Sequence, residues 1–283
     1  PTVQDLSADL GIAVGTIKRA YDELEREGIV EKVQGRGTFV CYEPIVRLAG
    51  GVPVFIETVA ENEFRLTADQ LKKAITEKTK LLILPYPCNP TGAIMTAEDL
   101  EAIAAVLRDT DILILSDEIY CELTYGENHV SIASIDGMKE RTVLIGGFSK
   151  SYSMTGWRMG YACADVEIMK QMVKIHQFAI MSAPTTSQYA AVEAIKNGDE
   201  DIARMRNQYD ARRRLMVNGF NKIGLTCFEP KGAFYAFPCI KSTGLSSDEF
   251  CEQLLKRYNV AVIPGSAFGE CGDGYIRASY CYS

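Results

Sequence analysis

Three segments, each behind a short apolar run, carry side chains able to do covalent chemistry on an amine. Leu81–Leu84 leads into Pro85-Tyr86-Pro87-Cys88-Asn89-Pro90-Thr91-Gly92, and Ile112–Leu115 leads into Ser116-Asp117-Glu118-Ile119-Tyr120. Val143–Ile145 leads into Gly146-Gly147-Phe148-Ser149-Lys150, and this run continues through Met154-Thr155-Gly156-Trp157-Arg158 to Gly160. In an open α/β sheet, ligands collect at the carboxyl ends of the strands. An amide, a carboxylate, a phenol, a lysine and an arginine therefore converge on one sheet edge. Any one of them alone reads as a solvated turn residue; the set together reads as a site.

The chemistry of that set is coherent with pyridoxal 5′-phosphate. A lysine held near other cations and partly desolvated has a lowered pKa and can form a Schiff base with an aldehyde, which suits Lys150. A carboxylate facing a pyridine nitrogen keeps the ring protonated and makes it an electron sink, which suits Asp117. Tyr120 and Asn89 are placed to hydrogen-bond the ring oxygen, and Arg158 with Ser149 offers a planar donor and a hydroxyl for phosphate. Near the end, Tyr275-Ile276-Arg277-Ala278-Ser279 sets a strand-borne guanidinium where a substrate carboxylate could dock.

The elements that must position these groups follow from pattern. Val52–Ile56, Lys80–Leu84, Ile112–Leu115 and Thr142–Ile145 read as short strands separated by helices, which predicts an α/β fold with a largely parallel sheet. Thr67-Ala68-Asp69-Gln70 is a capping box opening a helix to about Ile75, and Thr96 with Asp99 opens another to about Arg108. An amphipathic stretch from about Glu200 to Ile223 is expected to join two domains.

Composition narrows the function classes. With 283 residues, 47% hydrophobic and 24% charged, the chain is neither a disulfide-stapled miniprotein nor disordered. Apolar runs such as Leu81–Leu84 are far shorter than the roughly 20 residues a membrane-spanning helix needs. The net charge of −7 repels polyanions, so any nucleic-acid contact must be local. Two histidines, His129 and His176, are too few for a multi-histidine metal centre. Nine cysteines without a C-x-x-C pair, and the absence of a signal-peptide pattern, lead us to expect a cytoplasmic protein.

Residues 1–40 have a different character. Val3–Leu10 and Gly15–Glu27 show helical spacing, and two short strands, Ile29–Val33 and Thr38–Val40, flank Gln34-Gly35-Arg36-Gly37. Helix, turn, helix and hairpin are the order of a winged helix-turn-helix. Ala20-Tyr21-Asp22-Glu23-Leu24-Glu25-Arg26-Glu27-Gly28 and Gln34 to Val40 resemble the DNA-reading domain of the GntR-type bacterial regulators. Thr16, Lys18 and Arg19 would then meet a major groove, and Arg36 at the wing tip a backbone or minor groove. Acidic side chains outnumber basic ones in this segment, so the patch is narrow.

Residues 41–283 resemble the fold-type I, class I aminotransferases, on Asn89-Pro90-Thr91-Gly92, Asp117-x-x-Tyr120 and the lysine signature Gly147 to Gly160. The resemblance implies an amino acid and a 2-oxo acid as substrates. Lys150 would shuttle a proton between the substrate α-carbon and cofactor C4′. Asp117 would pair with the pyridinium, Tyr120 and Asn89 with the ring oxygen, Ser149 and Arg158 with phosphate, and Arg277 with the α-carboxylate. It further implies a homodimer, a cis Asn89–Pro90 bond, and family segments at Lys231–Tyr235 and Pro264–Phe268. The expected division is a winged-helix piece at 1–40, a cofactor-binding large domain at 41–205 and a small domain at 206–283. Family members carry roughly a hundred residues before the counterpart of Tyr42-Glu43-Pro44, including a helix N-terminus that cradles phosphate and an aromatic that stacks on the ring, so weak or absent activity is expected of this chain.

Two arrangements of these parts stand open. One is a MocR-like regulator, in which an aminotransferase-like domain senses a ligand through pyridoxal phosphate. The other is a joining of two genes, with wing strand Thr38–Cys41 taking the place of a sheet strand.

Overall fold

The computed structural model describes residues 42–281 together with the backbone of residues 31–33 and 37–39. It falls into two units, Pro1–Phe55 and Ile56–Ser283. In the first, strands β1 (Glu31–Val33) and β2 (Gly37–Phe39) pair antiparallel, with Glu31 opposite Phe39, so the expected hairpin forms. Strands β1 and β2 form a two-stranded sheet. The helices expected within 1–30 lie outside the described residues. Helix α1 (Tyr42–Leu48) follows, with Arg47 paired to Glu43 one turn earlier.

The strand expected at Val52–Ile56 does not form. Val52, Val54 and Phe55 are exposed, and no described strand pairs with them. β-branched composition favours extended backbone, but a strand persists only when its N–H and C=O groups find a partner.

In the second unit both capping boxes are present. Thr67 and Gln70 open α2 (Ala68–Ala74), and Thr96 and Asp99 open α3 (Ala97–Leu107). Leu100, Ile103, Ala104 and Leu107 recur at helical spacing on one face of α3 and are buried against Leu82, Leu84 and Ile114. Strands β3 (Leu81–Leu84), β4 (Leu113–Asp117) and β5 (Thr142–Gly147) are parallel neighbours, and β6 (Gly160–Cys163) adds antiparallel at β5. Leu84 lies opposite Ser116 and Asp117 opposite Ile145, so all three chemistry-bearing segments leave the sheet at one edge.

Helices α4 (Val166–Ala179), α5 (Thr185–Asn197) and α6 (Asp199–Lys222) lead to a second sheet. It is built from β7 (Tyr235–Ala236), β8 (Ile263–Pro264) and β9 (Ile276–Ser279) in the order β7-β9-β8, all antiparallel, with α7 (Ser247–Tyr258) between β7 and β8 in sequence. Among the described residues no helix is long and apolar enough to cross a membrane.

Backbone hydrogen bonds join the loops after β3 and β4 to the segment before β7. Lys231 N–H and Gly232 N–H both donate to Gly92 O, at 2.9 and 2.8 Å, and Tyr125 N–H donates to Lys231 O. Gly92 has φ +72°, and a Cβ there would lie 2.3 Å from Pro230 Cβ. Only glycine satisfies that conformation and that approach together.

Candidate active site

Lys150 follows β5 and is half-buried, its Nζ 6.0 Å from the centre of the Tyr120 ring and 5.9 Å from that of Phe234. Burial lowers its pKa; Cys281 opposes the shift, and the charges of Arg277 and Arg158 add to it. The amine is thus biased toward its neutral, nucleophilic form.

Tyr120 is buried behind β4, its hydroxyl 3.0 Å from that of Tyr235. Burial, then Tyr235, raises its pKa, so the phenol keeps its proton and stays a donor. Asp117 closes β4 and accepts from Ile119 N–H at 3.2 Å, which turns the chain toward Tyr120.

Asn89 sits in the loop after β3, where Asn89–Pro90 is cis as expected, as is Tyr86–Pro87. Its Oδ1 accepts from Arg277 Nη1 at 2.7 Å. The Arg277 guanidinium lies between two rings, 4.4 Å from the Tyr235 centroid and 4.9 Å from that of Phe268. Burial lowers the Arg277 pKa, and an arginine in that setting remains charged.

The loop from Ser149 to Arg158 closes on itself. Thr155 Oγ1 donates to Ser149 O at 2.8 Å, and Arg158 Nη1 donates to Thr155 O at 3.0 Å. Arg158 is exposed and takes a left-handed backbone, φ 52°. Lys150, Asp117, Tyr120, Asn89, Ser149, Arg158 and Arg277 all belong to this one sheet edge and the strand facing it. Thr16, Lys18, Arg19 and Arg36 lie outside the described residues.

Three groups escape a reading of the sequence alone. Tyr235 and Phe268 frame Arg277, and the only signal for them is that their segments match family segments. Glu118, next to Asp117, is buried and accepts from Ser116 Oγ at 2.8 Å and Ser131 Oγ at 2.6 Å, and lies 2.7 Å from His129 Nε2. Arg213 of α6 is buried against Asp210, Glu229 and Pro230 O, with its guanidinium 5.1 Å from the centre of the Tyr125 ring. Tyr125 in turn donates to Ala233 O at 2.5 Å, so both side chains hold the segment that presents Phe234 and Tyr235.

Residues 35–283 match the family model described as aminotransferase class I and II. The chain belongs to that family. It is 52% identical over 245 residues to the putative aminotransferase YugH of Bacillus subtilis, covering 87% of this chain and 64% of that protein. It is 49% identical to an aspartate aminotransferase of Pyrococcus abyssi, covering 86% and 63%. Among solved structures, an aromatic aminotransferase from Pyrococcus horikoshii superposes with a TM-score of 0.84 at 48% identity, over 87% of this chain and 66% of that one. The chain thus spans somewhat less than two thirds of the length of the curated relatives it matches. Residues 1–40 match the model for bacterial regulatory proteins of the gntR family, and residues 35–40 lie under both matches.

The class I family depends on pyridoxal 5′-phosphate, and the donor set of this family member suits that group. An amine whose charge is disfavoured, a carboxylate one strand away, a protonated phenol and two guanidiniums for anionic groups are what an anionic pyridine aldehyde requires.

Proposed function

We propose that this chain holds pyridoxal 5′-phosphate and transfers an amino group from an amino acid to a 2-oxo acid. The observation that carries the reading is the half-buried Lys150, its amine biased toward neutrality in the field of Arg277 and Arg158. When bound, the cofactor supplies an electron sink for the pair released at the substrate α-carbon. Lys150 would hold the cofactor aldehyde and, once neutral, accept the α-proton at Nζ. Asp117 would keep the ring nitrogen protonated. Tyr120 would donate to the ring oxygen together with Asn89, whose Oδ1 is already engaged by Arg277, leaving Nδ2 as its donating end. Ser149 and Arg158 would hold the phosphate, and Arg277 the substrate carboxylate through a two-point contact.

The names of the relatives support aspartate and aromatic amino acids as the first donors to try. With cofactor and a 2-oxo acid acceptor, those donors are expected to yield their own 2-oxo acids in a reaction abolished by Lys150→Ala. Product formed equally well by Lys150→Ala overturns the reading.

The same reading includes a homodimer in the cytoplasm and a division into 1–40, 41–205 and 206–283, the last two having a sheet each. The gntR match supports a DNA-contacting role for residues 1–40 through Thr16, Lys18, Arg19 and Arg36. A salt-dependent DNA shift that survives Lys18→Ala with Arg19→Ala would overturn that role.

A further inference from the structure

We propose that Tyr235 is a positioning residue that ties the cofactor side of the site to its carboxylate side, with its hydroxyl and its ring serving different partners. The inference rests on the pyridoxal-phosphate reading above. Tyr235 is buried on β7, where it pairs in register with Ser279 of β9. Its hydroxyl lies 3.0 Å from that of Tyr120, and its ring lies 4.4 Å from the Arg277 guanidinium. Arg277 then reaches Asn89 at 2.7 Å. A continuous path therefore runs from the loop after β4, through β7 and β9, to the loop after β3.

The two ends of Tyr235 have separable effects. Either hydroxyl can donate across this contact; when the Tyr120 proton goes to another acceptor, the Tyr235 hydroxyl donates into the Tyr120 oxygen and polarises that phenol. In the loaded protein that acceptor would be the cofactor's ring oxygen, and the bond would favour the deprotonated lysine–cofactor chromophore. The ring acts on Arg277. Together with Phe268 at 4.9 Å on the guanidinium, it restricts a planar group to one plane, which orients its fork for a carboxylate. The charged and titratable groups that bear on this pair and on Lys150 are Asp117, Arg277, Arg158 and Cys281.

The test uses the cofactor-loaded full chain, with an absorbance titration of the chromophore in the absence of substrate and the dissociation constant of maleate as an unreactive carboxylate. Tyr235→Phe keeps ring and volume, so the fold should survive, as a thermal melt will verify. The chromophore midpoint is expected to rise by about half a unit to one unit, the worth of one hydrogen bond, with maleate affinity unchanged within about twofold. Tyr235→Leu removes both functions and is expected to weaken maleate by about threefold to thirtyfold in addition. A merely structural tyrosine would lower the melting temperature in both variants without separating the two readouts. An unmoved midpoint in Tyr235→Phe, beside a wild-type band that requires Lys150, overturns this proposal alone. So does equal loss of maleate affinity in the two variants. The absence of any Lys150-dependent band overturns the underlying reading and this proposal with it.

Discussion

Arg277 donates to Asn89 across 188 residues of sequence, joining the second sheet to the loop behind β3. The bond fixes one edge of the guanidinium, the flanking rings fix its plane, and the remaining donors are left in a defined orientation. Arg277→Lys keeps the charge and loses the fork. It is expected to weaken carboxylate binding about tenfold to a hundredfold, as losing one charge-assisted hydrogen bond should. Maleate titration measures this, and an unchanged constant would show that Arg277 is not the carboxylate clamp.

Lys150 should cost the cofactor-free protein stability. Its folded pKa is lowered, so between that value and about 10.4 only the unfolded chain holds the proton, and stability rises with pH through this window. Below the folded pKa the penalty is fully present. Lys150→Met should therefore melt above wild type at pH 7, with the gap narrowing as pH rises toward about 10.4. A gap independent of pH would contradict the lowered pKa.

Gly92→Ala places a side chain on a left-handed residue and drives it into Pro230. Left-handed strain and overpacking together are expected to cost about 2–4 kcal/mol. Denaturant unfolding reads this directly. A cost below about 0.5 kcal/mol would mean that the junction at Lys231 and Gly232 is not held as described.

Glu118 makes a different pH prediction. Burial works to raise its pKa, but hydrogen bonds with His129, Ser131 and Ser116 outweigh burial and leave it lowered. Its contribution is present above the unfolded value of about 4.3 and is lost as pH falls through the folded pKa. The melting-temperature difference between wild type and Glu118→Gln should therefore be largest near neutrality and shrink below about pH 4. A constant difference would show that the carboxylate is not held in its charged form by these donors.

The sequence is informative wherever the deciding interaction is local. Thr67 with Gln70 and Thr96 with Asp99 are three residues apart, and both helices start where those pairs place them. The parallel strands announce themselves as apolar runs before turn residues. Strand β6 does not, because Gly160-Tyr161-Ala162-Cys163 is a strand only through its pairing with β5, Gly147 opposite Gly160. Val52–Ile56 errs the other way, having the composition of a strand without a partner. The same distinction runs through the site. The side chains after β3, β4 and β5 were readable because sheet topology alone gathers them. The Tyr120–Tyr235 contact spans 115 residues and the Arg213 cluster depends on helix packing, and neither has a local signature.

Lys150, Asp117 and Tyr120 are proposed to form an assembled pyridoxal-phosphate site. The most direct measurement is the absorbance spectrum of the chain with pyridoxal 5′-phosphate, across pH, for wild type and Lys150→Ala. The expected result is a visible band that titrates in wild type and is absent from Lys150→Ala, while both proteins keep the same far-ultraviolet circular dichroism. A spectrum identical to free cofactor in wild type, or a band that persists without Lys150, would contradict it.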